Sequence, residues 1–235
     1  MIFNDYDFEQ FFRVKPERKI GTSLDVTTLD VPGRDGSVFA TSKLKPLEIS
    51  VYVRLKVQAA SYLEMSKIRR DLTGYLFVSV PAKLVLPDEP DLYYMAMCTD
   101  SSDLDSLWRF GSCTLTFTAY DPVAFGDEVT KEIVTDTATK LWVDGTYKTY
   151  PVYTLTGTGD VIKVTNMDTS AYVQTTDKVD KGTVIVIDMA NQRVTRGGSY
   201  FPVTLGSDFT ALDVGSNNVK VAGASGSVTW SERWL

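Results

Sequence analysis

The 235-residue chain contains no histidine. That absence removes Ser-His-Asp and Cys-His nucleophile pairs, His-ligated zinc centres and the usual general base near neutral pH. Cysteine is scarce as well, with only Cys98 and Cys113. Two thiols cannot complete a four-cysteine zinc site. Both fall on apparent strands, where buried free thiols are expected in preference to a disulfide. Basic charge is in the minority: 24 Lys and Arg stand against 30 Asp and Glu, for a net charge of −6. No basic stripe appears, and Arg69-Arg70 is too short to make one. An acidic surface repels phosphate and anionic lipid, so nucleic-acid binding is not expected. No apolar run approaches the ~20 residues of a membrane span, and no membrane insertion is expected. The opening Met1-Ile2-Phe3-Asn4-Asp5-Tyr6-Asp7 lacks a basic segment followed by an apolar one, so no secretory signal is expected there.

Phosphate and metal motifs are also missing. Gly157-Thr158-Gly159 and Gly197-Gly198 sit between strand-like runs and read as hairpin turns. A phosphate loop would open a helix instead. Asp103-Leu104-Asp105 lacks the glycine and distal glutamate of a calcium loop. No cofactor and no metal are expected. Carboxylate chemistry survives the loss of histidine, since glycoside hydrolysis needs only two Asp or Glu groups. Asp88, Glu89, Asp91, Asp103 and Asp105 are the candidates. They read as solvated turn residues, because turns favour Asp in any case. No catalytic residue is assigned.

What is present is strand patterning. Leu47, Ile49, Val51, Val53, Leu55 and Val57 alternate with Glu48, Ser50, Tyr52, Arg54 and Lys56. This period of two predicts an antiparallel strand with one face on a core. Met65, Ile68 and Leu72 recur at spacings of three and four, which predicts a helix over Gln58–Thr73, with Gly74 as its C-cap and Arg69 and Arg70 in its last turn. Strands are expected at Tyr75–Val80, Leu84–Leu86 and Leu92–Thr99, with Pro87-Asp88-Glu89-Pro90 and Asp100–Asp103 as connectors. Cys113, Leu115, Phe117 and Ala119 then alternate with Ser112, Thr114, Thr116 and Thr118 up to Asp121-Pro122.

Strand patterning lapses over Asp121–Glu132, and the domain boundary is placed there. The expected domains are residues 1–128 and 129–235. Beyond the boundary lie short β-branched runs at Tyr150–Thr156, Val161–Val164, Ala171–Thr175 and Val184–Asp188, punctuated by glycine turns. Many short strands at regular spacing predict a sandwich or barrel. This half is rich in aromatics: Trp142, Tyr147, Tyr150, Tyr153, Tyr172, Tyr200, Trp230 and Trp234. Exposed rings could stack on sugars, which opens a carbohydrate-binding reading through Trp142, Tyr147 and Trp230. The competing reading puts most of these rings in the core or an interface.

One segment is more specific. Asp30-Val31-Pro32-Gly33-Arg34-Asp35-Gly36-Ser37 is a tight turn by its chemistry, since Pro32 sets φ and the glycines allow left-handed geometry. With the alternating strand, the single helix and the strand ending in Asp121-Pro122, it resembles the "V-P-G-R-D-G" signature of phage distal tail proteins. Tyr150-Pro151-Val152-Tyr153 resembles the opening of that family's second domain. Phe201-Pro202-Val203-Thr204-Leu205, followed by Phe209, Leu212, Gly215 and Asn217, resembles its later strand and turn.

The resemblance implies a mainly β protein: a tail-tube-like N-terminal β-sandwich with one helix, then a galectin-like C-terminal β-sandwich. It implies a structural role without catalysis, in a ring of usually six copies joining the tail tube to the tip. The partners it implies are the tail tube protein, a tail-tip or tail-associated protein, and a receptor-binding protein. The place it implies is the virion tail tip, after synthesis in the host cytoplasm. Ring formation needs head-to-tail contacts that close on rotation. Val31, Pro32, Gly33, Arg34, Asp35 and Gly36, or Leu47, Ile49, Val51 and Val53 on a long strand with an open edge, are the expected interface residues.

Overall fold

The structure is a computed structural model that describes residues 1–17, 22–56, 62–100 and 111–235. The chain divides after Ala124 into two compact units. Among the described residues no helix is long and apolar enough to cross a membrane.

The first unit holds β1 (Ile2–Phe3), β2 (Tyr6–Asp7), β3 (Phe12–Glu17), β4 (Leu24–Asp30), β5 (Ser37–Leu44), β6 (Leu47–Leu55), helix α1 (Tyr62–Leu76), β7 (Ala82–Leu86), β8 (Glu89–Asp100) and β9 (Ser112–Ala119). Seven of these strands follow the order β2-β1-β7-β8-β9-β6-β3, antiparallel throughout. β4 and β5 form a separate two-stranded ribbon. Alternation places Ile49, Val51 and Val53 of β6 and Cys113, Leu115, Phe117 and Ala119 of β9 in the core. Phe3 on β1 and Phe117 on β9 meet edge-to-face at 4.9 Å between ring centroids. Those strands are three ladder steps apart, about 14 Å on a flat sheet. The sheet therefore curls until β1 and β9 share one core.

The helix corrects three sequence expectations. It runs through Gly74 to Leu76, so Gly74 is an interior residue and not a cap. The Phe77 amide still donates to the Thr73 carbonyl at 3.1 Å. Arg69 and Arg70 consequently lie mid-helix, and the last turn carries no basic residue. The expected strand Tyr75–Val80 does not form. The reason is packing. Leu72 and Leu76, one helical turn apart, are both buried, and that burial outweighs the ~1 kcal/mol helix penalty of glycine. The start of the predicted helix, residues 58–61, lies outside the described residues.

The second unit contains β10 (Ala124–Ile133), β11 (Ala138–Val143), β12 (Val152–Gly157), β13 (Lys163–Asn166), β14 (Tyr172–Gln174), β15 (Val184–Asp188), β16 (Arg193–Arg196), β17 (Ser199–Tyr200), β18 (Gly215–Ala222) and β19 (Ala224–Trp234). One sheet has the order β17-β16-β15-β12-β19-β10 and the other β11-β18-β13-β14. Leu141, Val143, Tyr153, Leu155, Val164, Val173, Ile185, Ile187, Val219, Val221 and Val228 form a single buried cluster. This is a β-sandwich. β10 occupies the stretch where strand patterning lapses. Its residues Asp127, Glu128, Lys131 and Glu132 are exposed and break the apolar period, while β19 supplies the partner ladder that makes it a strand.

Candidate assembly interface

The turn Val31–Gly36 caps the β4–β5 ribbon. The Arg34 amide donates to the Val31 carbonyl at 3.1 Å, with Pro32 first and Gly33 second between them. Gly33 has φ +80° and Gly36 φ +75°. Proline followed by a positive-φ glycine is the arrangement of a type II turn. Ser37 Oγ donates to Asp30 Oδ1 at 2.7 Å and closes the turn at its base. At the other end the Lys45 amide donates to the Ser23 carbonyl at 2.9 Å.

The ribbon has no core of its own. Every residue of β4 is exposed. Leu24, Val26 and Leu29 are 57%, 51% and 58% exposed, and Phe39 on β5 is 61% exposed. A bulge between Thr27 and Thr28 sets Phe39 directly opposite Thr28, leaving Ala40 as the extra residue. Alternation along β4 then puts Phe39 on the face already carrying Leu24, Val26 and Leu44. An isolated two-stranded hairpin is at best marginally stable in water. Among the described residues the ribbon pairs with no third strand, and its apolar side chains stand in solvent. Sequence reasoning located the turn but missed these apolar residues. Leu24-x-Val26 ahead of the turn was the available signal.

Three of the strand residues expected at an interface face inward instead. Ile49, Val51 and Val53 are buried in the first unit's core, and Leu47 is half-buried. β6 pairs with β9 over Leu47–Arg54 and with β3 over Ser50–Leu55, so both edges are paired over Ser50–Arg54. The apolar face that made the strand legible is the face it hides.

The three aromatics of the sugar reading are also separated. Trp230 is only 3% exposed and belongs to the core cluster. Its indole N–H donates to Glu232 Oε1 at 2.9 Å. Trp142 is 54% exposed on β11, in the opposite sheet, and donates to Asp144 Oδ1 at 2.7 Å. Tyr147 is half-buried, and its ring centroid lies 5.4 Å from the Arg233 guanidinium. The rings of Phe125 and Tyr150 also flank that guanidinium, at 5.4 and 5.9 Å. Trp230 packs in the sandwich core while Trp142 stands exposed on the other sheet, so the three do not form one stacking platform.

Asp88 and Asp91 are exposed and Glu89 is half-buried around the β7–β8 turn, while Asp103 and Asp105 lie outside the described residues. A pocket lined by Tyr153, Asn166, Tyr172, Met189 and Asp208 has room for about one water molecule, ≈ 10 Å³. Cys98 and Cys113 are not joined in a disulfide. Burial raises the Cys98 thiol to about 11, and the Asp100 carboxylate adds to the shift.

The comparisons agree with this architecture. The family profile described as a phage tail protein RIFT-related domain matches residues 3–119. The profile described as a siphovirus-type tail component, C-terminal domain, matches residues 144–234. The crystal structure of the Dit protein of phage SPP1, described as a paradigm of the hub adsorption apparatus in phages infecting Gram-positive bacteria, is similar at a TM-score of 0.83. It is 18% identical, and the match covers 100% of this chain and 98% of that one. A chain of the phage P2 baseplate, in its activated conformation with calcium, is similar at a TM-score of 0.50. It is 9% identical, with 95% of this chain and 90% of that one covered. No curated protein sequence matches the chain. Two β-rich units in tandem, each matched by a tail-component profile, define a structural component of a phage tail. Within that class the chain belongs to the siphovirus-type tail components, as a distal tail protein.

Proposed function

We propose that this protein is the hub of the tip of a long non-contractile tail, closing into a ring of six copies through the β4–β5 ribbon. The observation that carries the reading is the bare ribbon itself. A two-stranded element with Leu24, Val26 and Phe39 on one exposed face gains stability only when a neighbour covers it. Burying each such side chain contributes about 1.5–3 kcal/mol. A ribbon on one copy and a receiving surface elsewhere on the next is a heterologous contact, the kind that closes into rings. The first unit, as a tail-tube-like sandwich, builds the ring and meets the tail tube protein. The second, galectin-like unit carries the tail-tip, tail-associated or receptor-binding proteins. The division of labour follows the two units, residues 1–124 and 125–234. The role is architectural, in the virion, after synthesis in the host cytoplasm.

Native mass spectrometry or imaging of the purified protein tests this. Six chains of 26.1 kDa give a ring of about 157 kDa. The combined variant Leu24→Ser, Val26→Ser, Phe39→Ser is expected to fall apart to monomers with both units still folded. A wild-type chain that stays monomeric at high concentration and never joins a tail overturns the reading, as does a ring that survives the triple variant.

A further inference from the structure

The outer face of the β11-β18-β13-β14 sheet differs in charge from the rest of the molecule. Its inward residues, Leu141, Val143, Val164, Val173, Asn217, Val219 and Val221, are buried. Alternation therefore turns Lys140, Trp142, Asn218, Lys220, Lys163 and Tyr172 outward. The four strands carry three lysines and no carboxylate, in a chain whose net charge is −6. Registers place these lysines on one diagonal. Lys140 lies opposite Asn218, two residues from Lys220. Lys220 lies opposite Thr165, two residues from Lys163. Diagonal neighbours of this kind sit about 7–8 Å apart. Like charges so placed repel one another, which makes the row costly unless something acidic faces it.

The carboxylates around the face do not neutralise it. Asp136 is 3.8 Å from Lys220 in a solvent-exposed pair, the kind that contributes little. Asp168 accepts from the backbone amide and side-chain amide of Asn218, at 2.7 and 2.9 Å. Asp144 takes the Trp142 indole. Among the described residues no carboxylate reaches ion-pair distance of Lys140 or Lys163. A further cation, Lys131, donates to the Lys140 carbonyl at 2.6 Å.

We propose that this outer face docks an acidic, extended polypeptide segment of another protein of the assembly, an inference that rests on the hub reading above. Acidic side chains at alternate positions of an extended strand repeat every ~7 Å, matching the lysine diagonal. Thr165 and Gln174 share the outward register of the lysines and add a hydroxyl and an amide to the face. The two rings on this face are already engaged, with Lys140 Nζ 5.7 Å from the Trp142 centroid and Lys163 Nζ 4.0 Å from that of Tyr172. Rings held by lysines are poorly placed to stack on sugars or bases, so the face suits a peptide better than a phosphodiester polymer.

The test uses the full-length protein and a fluorescent oligoglutamate peptide, with oligoglutamine and a short thymidine oligonucleotide as comparators. Oligoglutamate is expected to bind in a salt-sensitive manner and oligoglutamine not to bind. The combined variant Lys140→Glu, Lys163→Glu, Lys220→Glu is expected to weaken binding roughly tenfold or more, the range for three exposed charge pairs. Lys181→Glu, at an exposed turn lysine outside the face, is expected to leave it unchanged. Should the Glu triple fail to fold, the Lys→Gln triple takes its place, with the same loss expected. Undiminished binding by a folded triple variant overturns the proposal, and so does absence of binding by the wild type. Tighter binding of the oligonucleotide through the same lysines assigns the face to phosphodiesters instead. Ring mass is measured on the same samples. A ring that ignores the peptide sinks this inference alone, and a monomer that binds it sinks the hub reading alone.

Discussion

Trp230 and Glu232, two residues apart on β19, are joined by an indole N–H to carboxylate hydrogen bond of 2.9 Å, both side chains buried. The other carboxylate oxygen accepts the Gly145 amide at 2.9 Å, so one side chain ties the final strand to the 144–150 loop. A Cβ at Gly145 would lie 2.2 Å from the Arg233 carbonyl oxygen, which explains why glycine stands there. Glu232→Ala leaves two buried donors without a partner and is expected to cost about 2–4 kcal/mol. Glu232→Gln keeps an acceptor and should lose less. Denaturant unfolding followed by tryptophan fluorescence checks both. An unchanged midpoint for the alanine variant would show that the bonds are not holding the loop.

Gly33→Ala forces an L side chain to φ +80° with no atom within 4 Å to clash against. The expected cost is therefore backbone strain alone, about 1–2 kcal/mol, borne by the ribbon. Because the ribbon adds little to the first unit's core, ring assembly should weaken while thermal unfolding of the monomer barely moves. Sedimentation at graded concentrations against a melting curve separates the two.

Gly74 lies inside α1, exposed, without positive φ, and a Cβ there would meet nothing within 4 Å. Gly74→Ala is expected to stabilise the first unit by about 0.5–1 kcal/mol. A lower melting temperature in this variant would contradict the helical assignment.

Asp168 is held below its ordinary value of 3.8 by hydrogen bonds from the Asn218 side chain and backbone. A lowered folded pKa means the contribution is fully present above 3.8 and is lost as pH falls through the folded value. The Asp168 carboxyl, followed by NMR, should titrate below 3.8. In Asn218→Ala, which keeps only the backbone bond, its midpoint should move back upward. A midpoint indifferent to that change would refute the cause assigned.

The Cys98 thiol, raised to about 11, holds only about one part in a thousand as thiolate at pH 8. Alkylation of the native protein at that pH should be far slower than that of a free thiol, with buried Cys113 slower still. Rapid labelling of Cys98 would show that its strand opens.

The turn and the β-rich class were legible because each depends on local rules. Pro32-Gly33 admits few backbone geometries, and Cys113, Leu115, Phe117 and Ala119 report a buried face by their period alone. The same rules misled where they met a tertiary choice. Leu47–Val53 announced a strand, but whether its edge is open depends on β3 and β9, far away in sequence. Gly74 looked like a helix end until Leu72 and Leu76 were seen to share the core. Trp230 could be counted among the aromatics, but its burial against Glu232 could not be read from its neighbours.

By itself, then, the sequence determined the chemistry on offer: a chain without histidine, built for strands, with one turn that proline and glycine dictate. Only the tertiary structure decided which apolar residues are hidden and which are left bare. Leu24, Val26 and Phe39 are no more apolar than Ile49 or Val51. What separates them is that a strand pair without a covering layer cannot bury its own side chains, and burial is a property of what packs above a residue, not of the residue.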